Sequence, residues 1–339
     1  MGAFFLGLIL LVPQLALAQT HCSQLPELTV DANFPRCTES QLAAAGFPDH
    51  KHAHHWYGWE PPLDADGNPY GPGSMCQGKV LTGHDDLVLL PGEKRFKQFI
   101  LMHNPGYKDC DMVAFIELLD WANHVVPELL GLSISDTLTV FNPDNTQHYK
   151  EQSGQGVWRF YKLQGNEVTM QPYPVLLART LDGHAAFMLI TDWILNQALE
   201  QKLPLWMHQG LVEYIGEDGA HLVNYMAEFR AGGPVLFSAP LVNAILGKGI
   251  DPDEGADREN FRRASYSAYL MVWQLVELEG GLVALQDFLA QVASGVDLDE
   301  ASLSVYGMDM AQLAEIVDAV SNGEPAGNAM KRQVPHQQP

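Results

Sequence analysis

Two short stretches carry the residue types from which a reactive site could be built. His184-Ala185-Ala186-Phe187-Met188 sets an imidazole and a thioether four residues apart, and Leu203-Pro204-Leu205-Trp206-Met207-His208-Gln209-Gly210-Leu211-Val212-Glu213-Tyr214 adds an imidazole, an amide and a carboxylate. Positions i and i+4 of a helix share a face, so His184 stands over Met188 and Gln209 over Glu213, while His208 is turned by about 100° from Gln209. Imidazole and carboxylate are ligands that zinc accepts, and a thioether is a poor one. His184, His208 and Glu213 could together rebuild a metal site for hydrolysis. The competing reading of His184 is a hydrogen-bonded histidine in an apolar helix.

A second concentration of ligand-type residues runs from Asp49 to Trp59, with His50, His52, His54 and His55 interleaved with Trp56, Tyr57 and Trp59. Neutral imidazoles at spacings of one and two suit an extended segment and can bind Cu²⁺, Ni²⁺ or Zn²⁺. The alternative is that they pack with the tryptophans over the surface. Cys22, Cys37, Cys76 and Cys110 lack C-x-x-C spacing, and an even number in an exported chain implies two disulfides. Three pairings exist; Cys22–Cys37 with Cys76–Cys110 is favoured because the first pair flanks one short segment. The acidic stretches Asp64–Asn68 and Asp251–Asp257 lack the ligand register of a calcium loop and read as solvated turns. There is no G-x-S-x-G elbow, P-loop or dinucleotide fingerprint.

The two helical phrases together resemble the peptidase MA-like, gluzincin-type zinc metallopeptidase domain. Its first helix carries H-E-x-x-H and its second a phrase close to L-P-x-W-x-x-E-G-x-A-x-Y. The resemblance covers about residues 96–320, with Tyr266, Gly281 and Gly307 where such domains often place a tyrosine and helix-ending glycines. It implies a thermolysin-like fold in which His184 matches the first zinc ligand, Ala185 the general base, Met188 the second ligand, Gln209 the third ligand and Glu213 a supporting polar position. Ala185 cannot accept a proton, a role that contributes on the order of 10²–10⁴ in rate. Met188 is a soft ligand and Gln209 keeps the shape of Glu without its charge. The implied cofactor, zinc, is therefore not expected at the matched positions, and could return only through a rearranged site.

The elements that must position these residues are legible from periodicity. Phe99–Met102, Leu138–Phe141 and Glu167–Met170 read as strands, and Met112–Leu130 as a helix. A segment from about Leu176 to Leu199 is apolar nearly all round, as a helix buried inside a domain would be. Further helical patterns cover 206–214, 222–229, 266–278, 282–292 and 310–320. Strands and helices mix without strict alternation, which predicts an α+β fold with a small sheet and a helical C-terminal lobe.

Composition frames the whole. Residues 1–18 hold no charge, run apolar and end in Ala16-Leu17-Ala18, the pattern of a cleaved signal peptide rather than a stable membrane anchor. Residues 19–92 read as a loop-rich, disulfide-stapled extension, 93–320 as the peptidase-like domain, and 321–339 as a polar, disordered tail. A net charge of −22 with only 19 Lys and Arg excludes nucleic acid and anionic lipid as expected partners. The expectation is an exported protein, periplasmic or extracellular, descended from a zinc peptidase and binding a peptide or protein in the former substrate cleft. An active hydrolase with a rearranged zinc site, and metal handling through His50–His55, are the alternatives.

Overall fold

A computed structural model describes residues 88–107, 109–156, 159–178, 181–216, 236–248, 255–276 and 281–321. The signal peptide, the His50–His55 tract, Cys22, Cys37, Cys76, the helical pattern at 222–229 and all but the first residue of the tail lie outside the described residues. So therefore does at least one cysteine of each expected pair.

The chain is α+β. Six strands, β1 (Val88–Leu90), β2 (Glu93–Phe96), β3 (Phe99–His103), β4 (Leu138–Asn142), β5 (Tyr161–Gln164) and β6 (Glu167–Met170), form one sheet in the order β1-β2-β3-β4-β6-β5. β3, β4 and β6 are mutually parallel, and the outer pairings are antiparallel. Alternation sets the faces. Phe99, Leu101 and His103 of β3 and Leu138, Val140 and Asn142 of β4 are buried while their neighbours are less so. The β5–β6 hairpin turns on Gly165, whose φ of 61° favours glycine. The expected strands are all present, but the sheet is larger than expected. β1 also places residues 88–90 in the sheet, whereas the sequence suggested an extension reaching to 92.

Helix α1 (Asp109–Leu130) connects β3 to β4, as a parallel pair requires, and packs on β2 and β3. After α2 (Thr146–Ser153) and the β5–β6 hairpin come α3 (Tyr173–Ala178), α4 (Asp182–Leu199) and α5 (Leu205–Gly216). The single helix expected from about 176 to 199 is therefore two. Leu181 has φ −114° and ψ 4°, outside helical values, and its carbonyl accepts from Ala185 N to start α4 afresh. Within α4, 14 of 18 residues are buried, so it is the central helix of the molecule. The C-terminal lobe follows as α6 (Ala239–Gly247), α7 (Gly255–Val276), α8 (Gly281–Ala293), α9 (Leu298–Tyr306) and α10 (Met310–Ser321). Among the described residues no single helix is long and apolar enough to cross a membrane.

Candidate functional site

The candidate site lies where β5, α4 and α5 meet. α4 doubles back into α5 through Glu200 and Gln201, both in the left-handed region with φ 48° and 60°. Pro204 then opens α5, where a missing N–H costs nothing, and Asn243 Oδ1 of α6 accepts from Trp206 N at 2.8 Å to satisfy one of the remaining first-turn donors. Cross-contacts step outward from the turn. Asp192 of α4 meets His208 of α5, and beyond it Met188 meets Gly216.

His184, Met188 and Asp192 follow one another at intervals of four along α4 and so form one stripe. His184 is buried, with the Phe160 ring edge-on at 5.3 Å between centroids. Ala185 is fully buried in the core, so the position matched to the general base is packing space. The Met188 side chain lies against Gly216 so closely that a Cβ built on Gly216 would stand 2.1 Å from Met188 Cγ. The Met188 carbonyl accepts from the Tyr161 hydroxyl of β5 at 3.2 Å.

On α5, Gln209 Nε2 donates to Glu213 Oε1 at 2.8 Å, joining the matched third-ligand position to the supporting carboxylate one turn later. Glu213 is buried. Gly210 serves the helix crossing: a Cβ there would come within 2.4 Å of the Ala268 carbonyl oxygen and 2.6 Å of Val272 Cγ2 on α7. His208 Nε2 meets Asp192 Oδ1 at 2.7 Å, and Asn196 Nδ2 donates to the same carboxylate oxygen at 2.7 Å. Tyr266, on α7, takes a hydrogen bond from Arg262 Nε at 3.1 Å and lies under that guanidinium.

Electrostatics follow from this burial. The Tyr161 phenol is pushed well above its usual range, first by burial and then by the Asp192 carboxylate, with Glu213 adding in the same direction and Arg159 opposing. Asp182, in the first turn of α4, has its carboxyl raised by burial, against which hydrogen bonds from its own and Gly183's backbone and from Tyr173 work.

Zinc, the metal implied by the resemblance, does not fit these residues. The stripe offers one imidazole and a thioether packed on glycine, and the amide of Gln209 is already bonded to Glu213. The alternative set of His184, His208 and Glu213 is also not assembled. Among the described residues no three His, Cys, Asp or Glu side chains gather into a group that could hold a metal ion. The physical reason is rotational: His208, a third of a turn from Gln209 and Glu213, is held by Asp192 on the neighbouring helix.

Sequence reasoning did not single out Tyr161, Asp192 or Asn196. The signal for Asp192 was present, since it is the only carboxylate between Gly183 and Leu199 in a mostly apolar helix, and a charge withdrawn even partly from water calls for partners. Tyr161 carries no such signal, because its place at the site depends on how β5 meets α4. Comparison of the chain with protein-family models, with curated proteins and with solved structures finds no match.

Proposed function

We propose that this chain is an exported, catalytically inactive relative of gluzincin zinc peptidases that acts by binding a peptide or protein partner in the former substrate cleft. The observation that carries this reading is the Gln209–Glu213 hydrogen bond. It occupies the position matched to a zinc ligand with a neutral amide whose N–H is already engaged. Met188 packed on Gly216 and Ala185 sealed in the core support the same reading at the second-ligand and general-base positions. A hydrolase needs a polarising or basic group at its reacting centre, and the matched positions supply one imidazole.

The test is zinc analysis of the full chain with His50, His52, His54 and His55 replaced by Ala, so that the histidine tract contributes no metal. After dialysis against a slight excess of Zn²⁺ it retains none and shows no chelator-sensitive peptidase activity. The combined reversion Ala185→Glu, Met188→His and Gln209→Glu recovers zinc, while each single reversion leaves the metal under-coordinated and has little effect. One equivalent of tightly held zinc in the tract-free chain, lost on His184→Ala, would replace this reading with that of an active, rearranged enzyme. The binding role is read with a bead-bound random decapeptide library. Sequence-selected retention unaffected by EDTA supports it, and retention without sequence selection counts against it.

A further inference from the structure

We propose that Asp192 does for this molecule what a bridging metal would do, bracing α4 against α5 and fixing the tautomer of His208. The inference rests on the reading that the site has lost its metal. A zinc shared between two helices ties them at one point through several ligands. Here Asp192 stands on α4 and takes contacts from both sides. His208 of α5 approaches the carboxylate at 2.7 Å and Asn196, one turn further along α4, at 2.7 Å. Tyr161 of β5 sets its hydroxyl on the Met188 carbonyl, one turn earlier on the same stripe. Two side chains, one from each helix, thus meet on one carboxylate at the interface. A carboxylate accepts and does not donate, so the proton of a neutral His208 must sit on Nε2, leaving Nδ1 as the acceptor nitrogen. That arrangement is the carboxylate–histidine couple that orients an imidazole, and here the carboxylate comes from within the fold.

The experiment uses the full chain without the four tract histidines. Thermal midpoints are measured for this protein and for its Asp192→Asn, His208→Gln and doubly substituted forms, each with EDTA and with equimolar Zn²⁺. Each single substitution lowers the midpoint by about 3–12 °C. The double substitution lowers it by clearly less than the sum, because both changes remove the same interaction. Chelator and zinc leave every midpoint unchanged. In ¹⁵N spectra of the parent, His208 is the Nε2–H tautomer, and this preference is lost in Asp192→Asn, a change that mere space-filling by the aspartate would not cause. If Asp192→Asn does not fold, the parent spectrum and the His208→Gln midpoint still decide. Additive shifts, or an Nδ1–H tautomer in the parent, overturn the bracing role and leave the loss of metal standing. A midpoint that falls with EDTA and recovers with zinc, together with bound zinc lost on His184→Ala, overturns the proposed function instead.

Discussion

At the scale of single residues, two glycines set how closely the helices around the site approach. Gly210 has no room for a methyl group between α5 and the Ala268 carbonyl of α7, and the obstructing atom is backbone. Gly210→Ala is therefore expected to destabilise the chain by about 1–3 kcal/mol through overpacking, read as a lower urea midpoint at unchanged slope. At Gly216 the nearest obstructing atom is Met188 Cγ, a side-chain atom that can yield by rotation about the Met188 Cα–Cβ bond, whereas the Ala268 carbonyl facing Gly210 is fixed in the backbone. Gly216→Ala should cost less than Gly210→Ala, and the reverse order would show that the α5–α7 crossing is looser than described. The glycine of the Gln209-Gly210 phrase, prominent in the sequence as part of a motif, thus has a packing explanation independent of any chemistry. Residue types were legible in this way at His184, Ala185, Met188 and Gln209. Their partners Phe160, Gly216 and Glu213 follow from tertiary approach or from an i+4 neighbour, and only the last of these can be read from spacing.

At the scale of elements, the long periodic segments were the ones the sequence made visible. α1, α4, α5, α8 and α10 all fall where apolar spacing predicts them. The break between α3 and α4 was hidden because both pieces are buried and apolar, so hydropathy runs through it unchanged. β2 was hidden for the opposite reason. Glu-Lys-Arg-Phe reads as a charged turn, yet it is paired on both sides, and its buried Lys94 donates Nζ to the Leu90 carbonyl at 2.9 Å. α2 and α9 are short and were missed, although each carries a start signal. Asn145 Oδ1 accepts from His148 N at 2.9 Å, and Asp297 Oδ1 accepts from Asp299 N at 2.9 Å. Gly154 and Gly307 close the same helices at φ 65° and 73°. Asn145→Ala and Asp297→Ala should each cost about 1 kcal/mol in chemical denaturation, and Asp297→Asn, which keeps the acceptor, much less. Equal losses for Asp297→Ala and Asp297→Asn would mean that the charge rather than the cap is what matters.

At the scale of the whole molecule, buried and part-buried phenols make stability fall at alkaline pH. Tyr107 and Tyr149 are pushed up to about 12, chiefly by burial, and Tyr161 is raised well above its usual value. The folded chain holds these protons more tightly than the unfolded chain, whose tyrosines titrate near pH 10. Their contribution is complete below about pH 10 and is lost as pH climbs from there through the folded values. Lysines titrate in the same range, so the comparison is between the parent and Tyr161→Phe in urea unfolding from pH 9 to 12. The parent should lose stability more steeply above pH 10, and parallel curves would mean that Tyr161 ionises freely in the folded state. The order of strands bears on how the molecule comes into being. During synthesis β1 to β4 appear first and can pair in sequence, but the neighbour of β4 on its far side is β6, which arrives only after α2 and β5. Until residues 167–170 emerge, β4 carries an open hydrogen-bonding edge with a buried-type Leu-Thr-Val-Phe sequence, which is the kind of edge that recruits strands from other chains. The nascent protein is therefore most exposed to mispairing in the interval between β4 and β6, and the β5–β6 hairpin acts as the closure that ends it.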